Sequence, residues 1–135
     1  MGISEIVETF LKGWSNNLSV LLPVFAEEVV YADQPLRANL KGKAEVESFA
    51  NAFFTAFPDI RFELASTPIE AGNRCSFEWR ITGTHLGLLL DKPATGKAID
   101  FQGISTMEVK DGKIVRITDY WDLATLLRQI GHMPA

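Results

Sequence analysis

"AIDFQGISTMEVKDGKIVRITDYWDLATLLRQIG", residues 98–131, is the stretch whose reading decides the fold. Two long runs rich in β-branched and aromatic residues, 98–109 and 113–121, flank "KDGK". An Asp-Gly pair between such runs favours a tight two-residue turn, because both central residues must take positive φ. The stretch is therefore read as an antiparallel hairpin. Its second strand ends in "DYWD", and "LATLLRQ" then has helical spacing, with Asp122 as N-cap and Gly131 as C-cap. Acids are poor strand formers, so Asp119 needs a reason of its own. Side-chain alternation puts Val115, Ile117, Asp119 and Trp121 on one face and Arg116, Thr118 and Tyr120 on the other. Asp119 is then either a strand-end acid near water or a polar group set in a pocket, and alternation alone leaves both open.

Working outward, "IRFELASTPIE" and "RCSFEWRITGTHLG" flank "AGN", a second hairpin signal. The row Phe77, Trp79 and Ile81 favours the cavity side, leaving Glu78 and Arg80 to pair outside. A shift of one residue would reverse both assignments. "LLLDKPATGK" is a loop between the middle strands. The first half of the chain has helical spacing. In "SEIVETFLKGW", with Ser4 as N-cap, Ile3, Ile6, Val7, Phe10, Leu11 and Trp14 make one apolar face. "SVLLPVFAEE" is expected to form a short second helix with Pro23 near its start, "VVYAD" a brief strand and "QPLRANLKG" a loop. "KAEVESFANAFFTAF" repeats the helical period through Val46, Phe49, Phe53 and Phe57 until Pro58 stops it. Helices first and long antiparallel strands afterwards imply an α+β fold, one curved sheet with its helices on one face.

At 135 residues the chain is expected to be a single domain, 1–135. Nine Phe and three Trp exceed what a minimal core needs and suit a lined cavity or an oligomer interface. Net charge is −4 without a Lys/Arg cluster, so nucleic acid and anionic membranes are poor partners. The single cysteine, Cys75, excludes an internal disulfide and fits a reducing compartment. No stretch is patterned as a secretory signal or a membrane span, and a soluble, cytoplasmic protein is expected. His85 and His132 are the only histidines, and no two-His or His–Cys cluster exists to hold a metal.

The phrases "GTHLG" (83–87), "PATGK" (93–97), "DGKIV" (111–115) and "DYWDLATLLRQIG" (119–131) resemble the SnoaL-like polyketide cyclases, within the nuclear transport factor 2-like superfamily. The resemblance spans essentially the whole chain and is most specific in the second half. It implies a cone or barrel, with a curved sheet wrapped around the N-terminal helices and a deep apolar pocket. It also implies a homodimer through the outer sheet face, and cofactor-free, metal-free chemistry on a small apolar ligand. The position matching Asp119 is the family's general acid/base, which shuttles a proton during an intramolecular aldol closure. Asp33 lies where ketosteroid isomerases of this fold carry their base. Tyr31, two residues earlier on the same strand face, matches a tyrosine used by limonene-type epoxide hydrolases. From the residues alone Asp33 is equally a turn former ahead of Gln34–Pro35.

The alternatives depart from the sequence in particular places. An isomerase needs a strong donor near Ser105, where serine is a weak substitute. An epoxide hydrolase needs an Asp–Arg–Asp arrangement; Arg80 could supply the guanidinium, but Asp33 replaces the expected Asn. The cyclases' histidine and glutamine correspond to Ser105 and Gly103, small residues expected to enlarge the cavity and leave the acid short of partners. Trp14, Phe53, Trp79 and Trp121 are expected at the cavity wall, and His85 either at its rim or orienting its loop. A ligand-binding protein without catalysis is the reading from another class.

Overall fold

The computed structural model describes residues 2–134. Helix α1 (Ile3–Trp14) buries Ile6, Val7, Phe10, Leu11 and Trp14, the apolar stripe its spacing predicts. It begins two residues earlier than expected: Gly2 is the N-cap and makes no side-chain cap bond, so Ser4 does not cap it. A single helical turn, α2 (Leu18–Leu21), runs into a 3₁₀ turn (Leu22–Val24) containing Pro23. The expected second helix stops there. Phe25 is already extended, and β1 runs Phe25–Asp33 through both glutamates. Pairing with the core hairpin overrides their weak strand propensity, and the register breaks between Phe25 and Val30, where Glu27 and Glu28 are both exposed.

The expected loop after β1 contains a further strand, β2 (Ala38–Lys41), folded back antiparallel on β1. Helix α3 (Lys43–Ala56) follows, burying Val46, Ala50, Phe53 and Phe54. Strands β3 (Arg61–Leu64) and β4 (Ile69–Ala71) pair with successive parts of β5 (Arg74–Thr84), so the first hairpin is interrupted in its leading strand. Strands β6 (Ala98–Lys110) and β7 (Lys113–Trp121) form the second hairpin. Its turn holds Asp111 at φ 52° and Gly112 at φ 74°, the paired positive values that Asp-Gly signals. Helix α4 (Leu123–Gln129) ends the fold. The Asp122 carboxylate accepts from the Thr125 backbone N–H (3.0 Å) at its start. At its end Gly131 takes φ 84°, with His132 N–H bonded to the Leu127 carbonyl.

The strand order is β2-β1-β7-β6-β5-β3, with β4 on β5. Among the described residues only β1 and β7 run parallel, so the sheet is mixed; it is curved but stays open, with β2 and β3 at its ends rather than joined as a barrel. The inner face carries Cys75, Phe77, Trp79 and Ile81 from β5, and Phe101, Ser105 and Met107 from β6. Glu78 and Arg80 point outward but do not pair with each other. Arg80 makes a bidentate ion pair with Asp100, and Glu78 accepts from Ser66. In β7 the inward row is Ile114, Ile117, Asp119 and Trp121, not Val115. Val115 is the extra residue of a bulge, since Glu108 opposes Arg116 while Val109 opposes Ile114.

Gly103 shows how tightly the inner face is packed. A Cβ there would lie 2.5 Å from Cη2 of Trp79 and 2.6 Å from Cβ of Trp121. Glycine at this position therefore makes no extra cavity; the Trp79 indole and the Trp121 side chain use the space. Gly103→Ala is expected to destabilise the protein by about 1–3 kcal/mol through overpacking, read from the denaturant midpoint. An unchanged midpoint would contradict this packing.

Candidate functional site

Three neighbouring strands converge on one carboxylate. Asp119 lies opposite Ser105 across the β6–β7 ladder, and next to Asp33 in the parallel β1–β7 register. The Tyr31 hydroxyl donates to Asp119 Oδ2 at 2.5 Å, and the Ser105 hydroxyl donates to Oδ1 at 2.6 Å. Ser105 Oγ in turn accepts from Trp79 Nε1 at 2.9 Å. An indole N–H can only donate, so the direction of this relay is set: Trp79 to Ser105 to Asp119. Tyr31 and Ser105 are fully buried, and Asp119 is 6% exposed.

The second acid has its own partners. Asp33 Oδ2 accepts from Trp121 Nε1 at 2.8 Å, while Oδ1 accepts from the Leu36 backbone N–H at 3.1 Å. Asp33 is therefore both a turn former and a cavity residue: one oxygen holds the β1–β2 turn, the other faces an indole of the pocket wall.

Burial dominates the electrostatics. It pushes the Asp119 carboxyl up to about 7, with the Ser105 and Tyr31 hydroxyls opposing the shift and the charge of Asp33 adding to it. Asp33 is also raised by burial, against the Trp121 and Leu36 N–H groups. Tyr31 is raised well above the usual phenol value by burial and by Asp119, so its hydroxyl stays protonated as Asp119 titrates. No basic side chain is among the influences on either carboxyl or among the cavity walls.

The cavity in front of these acids is walled by Trp14, Phe49, Phe53, Phe62, Trp79, Ile81, Phe101 and Trp121, with Asp33 and Asp119 as its polar groups. Its rings meet mostly edge to face, as Trp14 does with Phe53 at 6.2 Å between centroids. It is narrower than the resemblance implies: the free space is ≈ 20 Å³, room for about one water.

Trp14, Phe53, Trp79 and Trp121 take the expected wall positions, whereas Tyr31 and Ser105 sit behind Asp119 as its partners. His85 is not at the rim. Its ring is buried against Phe57 at 5.6 Å, Nδ1 lies 3.0 Å from the Thr95 hydroxyl, and its backbone bonds to Gly96 and Lys97. Chain exit from β5 turns it into the 85–97 loop, which it anchors; burial lowers its pKa. Arg80 is on the outer face, so no Asp–Arg–Asp arrangement forms inside. Ile81 lines the cavity as its row with Trp79 predicts, while Phe49, Phe62 and Phe101 are wall residues that the sequence reading does not single out. For Phe101 the signal was present: it shares a strand face with Gly103 and Ser105. Among the described residues no group of three His, Cys, Asp or Glu could hold a metal ion. No helix among them is long and apolar enough to cross a membrane.

Solved structures share the fold. AclR, a candidate hydroxylase from Streptomyces galilaeus, superposes with a TM-score of 0.86 at 20% identity, covering 98% of this chain and 82% of that one. A candidate SnoaL-like polyketide cyclase from Jannaschia sp. CCS1 gives 0.85 at 17% identity, covering 97% and 92%. A protein with a ketosteroid isomerase-like fold from Catenulispora acidiphila, in complex with trimethylamine, gives 0.82 at 19% identity, covering 94% and 92%. At these identities the likeness shows a shared fold, the ketosteroid isomerase-like and nuclear transport factor 2-like one. A search of curated proteins finds no match. The family model for SnoaL-like polyketide cyclases matches residues 4–130, nearly the full chain. The chain belongs to the SnoaL-like polyketide cyclase family.

Proposed function

We propose that the protein is a cofactor-free small-molecule enzyme in which Asp119 acts as general acid and base, in the manner of an aldol-type cyclase, on an apolar oxygenated substrate. The observation that carries this reading is a buried carboxyl, pushed up to about 7 by burial, in the wall of an aromatic cavity. A group with that value is both a competent acceptor and a competent donor near neutral pH. Each Asp119 oxygen already receives one hydroxyl donor from behind. The proton that Asp119 exchanges therefore sits on a remaining lone pair, on the cavity side. As base, Asp119 takes a proton from the carbon next to a carbonyl; as acid, it returns one to the alkoxide that closure creates. Tyr31 and Ser105 solvate the carboxylate form before the first step and after the second. Asp33 adds negative charge beside the pair and keeps Asp119 basic. A ligand larger than a few atoms enters only as the aromatic walls move aside. The reading includes a homodimer through the outer sheet face, where Ile104 and Tyr120 stand exposed as cross-strand neighbours.

A second reading, a binding protein without turnover, is favoured by the paired acids without a basic partner. The Catenulispora relative in complex with trimethylamine supports it, since a small amine would complement such a site. A panel of polyketide-type esters, enones, epoxides and small amines separates the two. Turnover of a carbonyl substrate should fall at least 100-fold in Asp119→Asn. Unchanged turnover in that variant would sink the acid/base role, and tight amine binding with no turnover would favour the second reading.

The same carboxyl predicts a pH effect on stability. Between about 3.8 and 7 the native state holds a proton on Asp119 that the unfolded chain has released. Its contribution is thus complete below that window and lost as pH rises through about 7. From pH 5 to pH 8 this group should lower the unfolding free energy by on the order of 2 kcal/mol, and Asp119→Asn should lack that component. Urea titrations at the two pH values check this; parallel losses in both proteins would contradict it.

A further inference from the structure

The polar atoms around the cavity largely satisfy one another. Tyr31 and Ser105 donate to Asp119, Trp79 donates to Ser105, and Trp121 donates to Asp33. Among the described residues, two buried side-chain polar atoms lack a hydrogen-bond partner, Trp14 Nε1 and His85 Nε2. His85 belongs to the loop already described. Trp14 belongs to the cavity wall and is 3% exposed, so its N–H is shielded from bulk water. A buried donor left unpaired is destabilising, and it gains most from an acceptor that arrives with a ligand. Its position is also informative. The Trp14 indole N–H acts on the Tyr31 hydroxyl as a hydrogen-bond donor that lowers its pKa, yet falls short of a well-formed bond, so the indole nitrogen lies on the Tyr31–Asp119 side of the site.

We propose that Trp14 Nε1 donates the hydrogen bond that holds the oxygen of a small neutral carbonyl substrate, presenting the neighbouring carbon to Asp119. This rests on the acid/base reading above and adds the substrate class and the group that orients it. A neutral oxygen is specified because Asp33 and Asp119 line the same cavity and no basic side chain does, so an anionic ligand meets only like charge. A carbonyl fits because it accepts without bringing a donor, and the other N–H and O–H groups here are already engaged. During proton removal at the adjacent carbon, negative charge grows on that oxygen and the Trp14 bond strengthens.

Indole N–H signals of ¹⁵N-labelled protein test this, with Trp14 assigned by its loss in Trp14→Phe. Cyclopentanone should move the Trp14 signal downfield. Methylenecyclopentane, which has the same shape without the acceptor, should not. The wild type should bind the ketone about 5–10-fold more tightly than the alkene, and Trp14→Phe should bind the two equally. If Trp14→Phe fails to fold, Trp14 is assigned by elimination from Trp79→Phe and Trp121→Phe, and the two wild-type titrations decide. A Trp14 signal unmoved by the ketone, or moved alike by both ligands, overturns the proposal. The acid/base reading fails separately: a ketone-specific Trp14 shift with turnover unaffected by Asp119→Asn would remove that reading and leave the Trp14 contact standing.

Discussion

The contact on which the site depends is a single carboxylate shared by three strands. Asp119 projects from β7, takes a hydroxyl from Ser105 on β6 and another from Tyr31 on β1. These bonds exist only if both ladders are in register, antiparallel on one side and parallel on the other. A slip of one residue in either would turn a donor to the outer face and leave a buried acid without partners. The bulge at Val115 belongs to the same constraint. It lets Ile114 join the core below while Ile117, Asp119 and Trp121 keep their inward phase above.

Burial and hydrogen bonding act on this acid in opposite directions, and burial wins. Two hydroxyl donors favour the ion, yet the carboxyl is held at about 7. The reserve of basicity comes from the fold: aromatic walls exclude water, and no basic side chain offsets the charge. Such an arrangement is unfavourable for stability in its ionised form and useful for proton exchange, the usual relation between a strained site and its scaffold.

Much of this was legible in the sequence, for physical reasons that differ by element. The β6–β7 hairpin was plain because Asp-Gly has few conformational uses between two apolar runs. Asp122 and Gly131 were plain because capping is a local matter. Asp119 stood out against an otherwise apolar row. What was not legible depended on tertiary pairing. Phe25 to Glu28 read as helix, yet they extend because β7 offers a parallel edge. Residues 38–41 read as loop, yet they pair because Asp33 and Arg37, at φ 53°, shape a tight return. The apparent vacancy at Gly103 was filled by side chains from two other strands, which no local pattern reveals. His85 could be read as rim or loop anchor, and tertiary structure decides: the chain leaves β5 just before it and carries the ring under a loop.

The account turns on whether Asp119 is a proton carrier at neutral pH, and its own titration tests that most directly. Carboxyl ¹³C chemical shifts of aspartate-labelled protein, followed from pH 4 to 9 and assigned by Asp119→Asn, give the value for that one group. The account predicts a midpoint near 7 for Asp119. A midpoint in the ordinary carboxylate range near 4 would contradict it, because the group would then be a fixed anion in the cavity wall.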